Sequence, residues 1–378
     1  MQFEPTPEQL LVRDMARDFA RREILPVAAA LDRDGRFPAE ILARLAGIGL
    51  MGVNIREEYG GAQAGPVAYV MALAEIAAAC ASTAVTMSVT NMVAEVIQQF
   101  GTEEQRRRHI PRITSGEYAA GAFGLSEPGA GSDPGSMTTT ARRDGDGWVL
   151  NGQKAWITSG DRAGVIVVWA RTGGPGTGGL SAFLVEPGTP GFEVGRHEDK
   201  MGLRASTTVA LHFDNCRLPA AALLGEENRG FRIAMMALDG GRLGISAQAL
   251  GIARAALEET TAYAKERRQF GRPIAEFQAI QWMLADGAAE WDAAWLLLLR
   301  AAWLKEQGRP FSREASMAKV YATERANAIC ARCFQMHGGY GYVKEYPIER
   351  HLRDVRVTTI YEGTSEVQRI VISRAVLK

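Results

Sequence analysis

The sequence has few cysteines and histidines, no long apolar segment and no excess of charge of either sign. Four cysteines in 378 residues are too few for a disulfide scaffold, and five histidines without an HExxH pattern argue against a zinc hydrolase. The most apolar run, residues 293–299, stops at Arg300 and is too short to span a bilayer. The 43 basic residues match the 43 acidic ones, so neither nucleic acid nor a membrane surface is the expected partner.

The beginning of the chain lacks the basic segment and apolar core of a signal peptide. Together with the low cysteine content, this predicts a reducing compartment without membrane insertion. We expect the cytoplasm, or the mitochondrial matrix if the chain is eukaryotic and processed.

The chain exceeds the size at which a single core stops growing, so several domains are expected. Its composition changes twice, from helix-rich to a segment of glycine, β-branched residues and turns, and then back to long helical patterns. We therefore predict a helical N-terminal domain over residues 1–118, a β-barrel-like middle domain over 119–228, and a helix-bundle domain over 229–378.

Three local patterns give predictions that can be checked. Thr6 is a candidate N-cap for a helix that extends to about Leu31. Residues 147–152 read as a strand that ends in an Asn151-Gly152 turn. Residues 276–307 read as a helix with one apolar face, whose members recur at steps of three and four: Phe277, Ile280, Leu284, Ala288, Trp291, Trp295, Leu298 and Ala302.

Two motifs suggest chemistry but are better explained by structure. Residues 174–179 satisfy the dinucleotide-binding pattern GxGxxG, yet they join two predicted strands and no helix follows to bind a phosphate. Cys330, Cys333 and His337 lie on one helical face, which leaves a zinc or redox site conceivable. Because no second pair of metal ligands accompanies them, we expect helix packing there and no metal.

The turn at residues 360–366 is the best candidate for a catalytic site. Glu362 lies between an aromatic residue and Gly363, which permits unusual backbone angles and close approach of a ligand. A carboxylate held beside apolar surface has a raised pKa and suits a general base. Thr364 and Ser365 can cap the helix predicted to follow.

A second candidate is the glycine-rich segment 124–133. It follows a predicted strand, and its successive backbone N–H groups suit an anion such as a pyrophosphate. Trp156 offers an indole that can stack on a planar ring, with the Thr158 hydroxyl two residues further along the chain.

Taken together, the segments 124–133, 335–342 and 360–366 resemble the acyl-CoA dehydrogenase family of flavoproteins, and the resemblance runs nearly end to end. It implies a helical N-terminal domain, a β-barrel-like middle domain and a C-terminal four-helix bundle. It also implies FAD as cofactor, a homotetramer, an acyl-CoA substrate and an electron-transferring flavoprotein as electron acceptor.

The resemblance assigns roles to residues by position. Glu362 would remove the α-proton of the thioester, and FAD would accept the β-hydride. The residues that would bind FAD are Phe123, Gly124, Leu125, Ser126, Gly131, Ser132, Trp156, Ile157, Thr158, Arg267, Gln278, Gln335, Met336, His337, Gly338, Gly339, Thr364, Ser365 and Glu366. Those that would contact the substrate are Ser132, Asp239, Arg242 and Gly363.

Some details depart from the family's commonest pattern. Phe123 stands where many members have tyrosine, and Ser126 replaces a frequent threonine. Some relatives carry the base on a helix at the position of Gly241, which has no side chain here, so Glu362 remains the base. Residues 82–91 would line the end of the acyl pocket, and we expect short or branched acyl chains. The alternatives are an acyl-CoA oxidase and a flavin-containing binding or DNA-protecting relative with little turnover.

Overall fold

The computed structural model describes residues 4–378, which form three successive parts. The first is helical, as predicted. Thr6 caps its first helix with a reciprocal pair of hydrogen bonds to Gln9, as its place in the sequence indicates. The helices are α1 (Pro7–Phe19), α2 (Leu25–Asp34), α3 (Ala39–Gly47), α4 (Gly65–Ala79), α5 (Ala81–Phe100) and α6 (Glu103–Thr114).

The helix predicted for residues 6–31 is interrupted. Between α1 and α2 the backbone makes a π-helical turn over Ala20–Ile24, and α2 ends at Asp34 before Gly35 with a positive φ of 60°. Pro26, near the start of α2, has no N–H to donate, so one helical hydrogen bond is missing there and the wider turn accommodates it.

The middle part is one eight-stranded sheet with strand order β6-β7-β3-β2-β4-β5-β8, and β1 pairs in parallel with β4. The end strands β6 and β8 do not pair with each other, so the expected barrel-like domain is an open sheet in this chain. Its strands are β1 (Ala120–Gly124), β2 (Thr140–Asp144), β3 (Gly147–Thr158), β4 (Ala163–Arg171), β5 (Leu180–Val185), β6 (Phe192–His197), β7 (Thr208–Leu218) and β8 (Leu223–Leu224).

The predicted turn at Asn151-Gly152 is wrong. Strand β3 continues through these residues to Thr158, and its pairing with β7 shifts register at a bulge between Leu150 and Gly152. Gly152 has φ +141°, and a Cβ there would lie 2.7 Å from Thr139 Cα, so glycine serves close packing of two strands and not a hairpin.

The last part contains four longer helices that pack together, α7 (Gly230–Glu266), α8 (Gln278–Glu306), α9 (Ser312–His337) and α11 (Ser365–Val376), with the short α10 (Ile348–Arg356) beside them. Two two-residue strands, β9 (Arg268–Gln269) and β10 (Arg272–Pro273), join α7 to α8. The predicted apolar face of α8 is buried at Leu298 and Ala302, and Ile280, Leu284 and Trp291 are half-buried and pack against the core. The prediction is wrong at Ala288, which is exposed.

A charged cluster on α10 joins all three parts. Arg353 makes a bidentate ion pair with Asp32 of α2 and donates to the Met201 carbonyl of the middle part. The next residue, Asp354, is buried and accepts the Leu203 N–H at 2.6 Å. Helix α10 leads after a single 3-10 turn into the segment that carries Glu362, so this cluster fixes the approach to the candidate site.

Candidate active site

Glu362 lies on a turn with unusual backbone geometry. Its φ is +53° and that of Gly363 is +85°, so two successive residues adopt left-handed conformations. For a residue with a side chain this conformation is strained, and such strain persists where surrounding contacts fix it. Thr364 caps α11 by accepting the Val367 N–H, as predicted, so the turn is fixed directly to the start of a helix.

The Oε2 atom of the Glu362 carboxylate is buried and has no hydrogen-bond partner within residues 4–378, while the residue as a whole is half-buried. Burial raises the pKa of Glu362 to about 7, while the positive charges of Arg242 and Lys319 counter part of that rise. A carboxylate with a near-neutral pKa and a free oxygen is suited to take a proton at physiological pH.

Gly241 of α7 lies directly against this carboxylate. A Cβ at position 241 would be 2.6 Å from Glu362 Oε2 and 3.1 Å from Met92 Sδ. The space next to Glu362 therefore exists because α7 has no side chain at this point.

Asp239 and Arg242 lie one turn apart on α7 and form an ion pair at 2.5 Å. Arg242 is only 4% exposed and also donates to Ser316 on α9, so its guanidinium is tied into the protein beside Glu362. Burial raises the pKa of Asp239. Of the four predicted substrate-contacting residues, Gly363 follows Glu362 on the turn and Arg242 acts on the Glu362 carboxylate, with its charge paired to Asp239, whereas Ser132 lies in the glycine-rich segment.

Two predicted cofactor segments come together at the end of β1. The Ala155 N–H of β3 donates to the Ser126 carbonyl at 2.9 Å, which sets the segment Phe123–Ser132 beside Trp156, Ile157 and Thr158. Trp156 lies in a bulge of β3 with φ +63° and is 65% exposed. Added Cβ atoms at Gly129 and Gly131 would meet no atom within 4 Å, so the segment borders open space.

The glycine-rich segment rests on a buried ion pair that sequence reasoning missed. Lys154 is fully buried and donates to Glu127 at 2.8 Å and to the Leu125 carbonyl at 3.2 Å. Glu127 also accepts the backbone N–H groups of Thr138 and Thr139. The Lys154 charge, its hydrogen bond and these N–H groups hold the pKa of Glu127 at about 2 despite burial. Along β3 the buried Trp148 and Leu150 are followed by exposed residues at 151–153, so strand alternation does not predict that Lys154 faces inward.

Helix α5 connects the two halves of this site. Thr90 accepts the Gly121 N–H of β1 at 3.2 Å, and Met92, two residues later, faces Gly241 and Glu362. Every residue of α5 from Ala81 to Ala94 is buried, including the segment predicted to line the acyl pocket. Helix α5 therefore contacts both β1, which leads into the glycine-rich segment, and the part of α7 that lies against Glu362, and it fixes their relative positions.

A second group of predicted cofactor residues forms a separate pocket of about 720 Å³. Arg267 lies over the ring of Tyr340 at 4.9 Å, and His337 stacks on Tyr263 at 4.2 Å. Gln278, predicted with this group, is exposed at the first residue of α8 and does not line the pocket. The pocket is lined in part by Arg267 and by Gln335, Met336, His337, Gly338 and Gly339.

The remaining predicted residues lie on or after the turn. Ser365 is buried at the first residue of α11, and Glu366 beside it is exposed. Cys330 and Cys333 are buried in the helical core, and the His337 ring is hydrogen bonded to the Cys333 carbonyl. Within residues 4–378 the structure contains no group of three or more His, Cys, Asp or Glu arranged to hold a metal ion.

A helix that crosses a bilayer must be both long and apolar. In the described part of the chain, none combines the length and the apolar character needed to cross a bilayer.

Three family models match the chain in succession: the acyl-CoA dehydrogenase N-terminal domain over residues 6–117, the middle domain over 122–216, and the C-terminal domain over 228–377. The short-chain specific acyl-CoA dehydrogenase of Bos taurus is 50% identical over 376 residues, which cover 99% of this chain and 91% of that protein. The chain belongs to the acyl-CoA dehydrogenase family.

Solved structures agree with this assignment. Butyryl-CoA dehydrogenase from Megasphaera elsdenii superposes with a TM-score of 0.98 at 42% identity and full coverage of both chains. A structure from work on the electron transferring flavoprotein of Acidaminococcus fermentans has a TM-score of 0.98 at 43% identity, again with full coverage of both chains. The expected fold is confirmed, with helical terminal parts around a middle sheet.

Acyl-CoA dehydrogenases are FAD-dependent oxidoreductases, and one structure of the family is a complex with FADH2. The residues of this chain fit such a cofactor. The exposed indole of Trp156 and the open glycine-rich segment provide a stacking surface beside backbone N–H groups. Within residues 4–378 the Oε2 atom of Glu362 has no hydrogen-bond partner, so a carboxylate oxygen is available there to accept a proton.

Proposed function

We propose that this protein catalyses the α,β-dehydrogenation of short-chain acyl-CoA thioesters to trans-2-enoyl-CoA. The observation that carries the proposal is the Glu362 carboxylate: its Oε2 atom is buried with no hydrogen-bond partner within residues 4–378, its pKa is about 7, and it lies against Gly241. The preference for short chains is supported by the similarity to short-chain and butyryl-CoA dehydrogenases.

The acyl chain would extend between α4, α5 and α7. Tyr69 and Ser88 join their hydroxyl groups at 3.0 Å, and a Cβ at Gly244 would lie 2.9 Å from the Tyr69 hydroxyl. Gly244 lies one helical turn beyond Gly241, on the same side of α7. The hydroxyl pair therefore forms a polar end to the space that begins at Glu362, which suits a short acyl group.

In the proposed reaction Glu362 accepts the α-proton of the thioester at its free Oε2 atom. Its raised pKa makes it a stronger base than an ordinary carboxylate, and exclusion of water keeps the proton transfer between substrate and protein. FAD, when bound, supplies a hydride acceptor for the β-carbon. The substrate would therefore lose its α-proton to Glu362 and a hydride from its β-carbon to FAD, and the electron pair of the broken α-C–H bond would form the new carbon–carbon double bond.

We propose that FAD is held by Phe123–Ser132 and Trp156–Thr158 of one subunit and by the Arg267 pocket of another, in a homotetramer. Two observations support this arrangement. The Arg267 pocket is lined by none of the residues in Phe123–Ser132 or Trp156–Thr158, and Trp282, in the first half of α8, is 63% exposed. We propose an electron-transferring flavoprotein as the acceptor and the cytoplasm as the location, and we keep the boundaries 1–118, 119–228 and 229–378 for the three domains.

Anaerobic mixing with butyryl-CoA tests the function. The purified protein should be yellow, and its flavin absorbance should decrease when butyryl-CoA is added. Glu362→Gln keeps the shape of the side chain but cannot accept a proton, so flavin reduction should slow by at least about 10²- to 10⁴-fold while butyryl-CoA still perturbs the flavin spectrum. Glu104→Gln is the control, because Glu104 is exposed on α6 and is not among the residues expected to bind FAD or substrate.

A Glu362→Gln protein that reduces its flavin at the wild-type rate would show that the base lies elsewhere. Reoxidation of the reduced protein by oxygen, at a rate that matches turnover, would indicate the oxidase alternative. Absence of any flavin reduction in the wild type with a panel of acyl-CoA substrates would contradict the proposed function.

A further inference from the structure

Lys319 is a fully buried lysine on α9 that contacts the catalytic turn. Its Nζ atom donates to the Gly363 carbonyl at 2.7 Å, immediately after Glu362 in the chain. Removal of an ammonium group from water is costly, so a lysine at 0% exposure needs strong compensation from its surroundings. That compensation comes from the turn itself.

The turn is held by hydrogen bonds to both of its carbonyls and to its tyrosine. Gln368 of α11 donates to the Glu362 and Gly363 carbonyls at 3.2 and 2.9 Å, and Tyr361 donates to Gln248 of α7 at 2.5 Å. Lys319 is the charged member of this set. Without these hydrogen bonds the peptide planes after Glu362 and Gly363 could rotate, and the position of the carboxylate would change with them.

The charges around Glu362 are few. Glu362 is the largest source of electrostatic stabilisation for the Lys319 ammonium, and burial lowers the pKa of Lys319 to about 8. Arg242 is already paired with Asp239. The other charged or titratable groups that act on Glu362 or Lys319 are Tyr361 within the turn, Tyr69 of α4, Glu324 of α9 and the exposed Glu366 of α11.

We infer that Lys319 is a positioning residue for the general base: it holds the Gly363 carbonyl, and so the left-handed turn, while its charge keeps the Glu362 carboxylate ionised. The inference rests on the proposed function of Glu362. The hydrogen bond and the charge are separate contributions, and different substitutions remove them separately.

Three substitutions separate the two contributions. Lys319→Gln keeps an N–H donor for the Gly363 carbonyl but removes the charge, Lys319→Met removes both, and Lys319→Arg keeps both. Lys319→Met also avoids burial of a charge, which favours folding of this variant. Lys200→Gln is the matched control, since Lys200 is also partly buried and donates to a carbonyl, that of Ser206 at 2.8 Å, in the middle part.

The primary measurement is the pH dependence of anaerobic flavin reduction by butyryl-CoA in single-turnover mixing. In the wild type the rate should rise with pH through the pKa of Glu362. Without the lysine charge this midpoint should move to higher pH by about one unit or more, because a nearby positive charge favours the carboxylate form. Lys319→Arg and Lys200→Gln should keep the wild-type midpoint.

A second measurement follows proton removal alone. Acetyl-CoA has α-hydrogens but no β-carbon, so exchange of its α-hydrogens with D2O, measured by proton NMR, reports on the base without hydride transfer. The midpoint of this exchange should move in Lys319→Gln and Lys319→Met as in flavin reduction.

The outcomes are distinguishable. If either neutral variant folds and retains the wild-type midpoint in both measurements, the inference about Lys319 is wrong, whatever the loss of maximal rate. A purely structural role would lower the maximal rate and leave the midpoint unchanged. If the wild type itself fails to reduce its flavin with acyl-CoA, the proposed function fails instead.

Discussion

The substitution Gly241→Ala tests whether catalysis depends on the space beneath Glu362. An added Cβ would lie 2.6 Å from Glu362 Oε2, about 0.8 Å closer than the shortest ordinary van der Waals contact. The backbone of α7 is buried here, so the carboxylate has to move by a comparable distance. Displacement of a catalytic group by about 1 Å costs on the order of 10²-fold in rate, or about 2.7 kcal/mol of transition-state stabilisation.

Gly240→Ala provides a matched control one residue away. A Cβ at position 240 would meet only the flexible end of Lys305, at 3.4 Å. Alanine is favoured over glycine in a helix interior by about 1 kcal/mol, so this substitution should raise thermal stability and leave the rate of flavin reduction unchanged. The two variants therefore separate the effect of a methyl group on the helix from its effect on the base.

Both variants should be purified with FAD and mixed anaerobically with saturating butyryl-CoA in a stopped-flow instrument. We expect flavin reduction in Gly241→Ala to be about 10²-fold slower than in Gly240→Ala at equal FAD content. A Gly241→Ala protein that reduces its flavin as fast as the control would show that Glu362 does not depend on this space, and would contradict the geometry proposed for the base.

Three further predictions follow from the same structure. Gly244→Ala should lower kcat/KM for butyryl-CoA more than for propionyl-CoA, because its Cβ would push against the Tyr69 hydroxyl at 2.9 Å; equal losses would contradict the proposed pocket end. Arg267→Ala should weaken FAD retention by about 10- to 100-fold, measured by FAD titration, whereas the exposed neighbour Arg268→Ala should not. The pKa of Glu362 in the folded protein, about 7, lies above its ordinary value of 4.5, so the contribution of Glu362 to the free energy of unfolding is full below pH 4.5 and is lost as pH rises through 7. The free energies of unfolding of the wild type and of Glu362→Gln, measured by denaturant titration, should therefore diverge between pH 4.5 and 7. Parallel curves would contradict the raised pKa.

Local signals predicted much of this fold. The Thr6 cap, the cap at Thr364 and the buried strands β4 and β5 depend on residues near in sequence, and the structure has them where they were expected. Asn151-Gly152 was misread because the same dipeptide suits a hairpin turn and a bulge. The choice depends on the approach of Thr139, which lies just before β2, and local sequence does not report that contact.

The buried lysines were beyond the reach of composition and pattern. Lysine is almost always exposed, so neither Lys154 nor Lys319 would be placed inside the protein by its residue type. Each is buried because a distant segment brings an oxygen to its ammonium group: Glu127 to Lys154, and the Gly363 carbonyl to Lys319. Such partners become visible only when the chain is folded, which is why the support of both candidate sites was missed.

The charged cluster of α10 also determines when the site can form during folding. Arg353 and Asp354 take their partners from residues 32 and 201–203, so α10 is not fixed until segments more than 150 residues upstream are in place. Because the Glu362 turn follows α10 almost immediately, a nascent or truncated C-terminal part would contain every residue of the turn without its geometry. The turn therefore depends on these contacts, and a chain that has not formed them lacks an ordered carboxylate at residue 362.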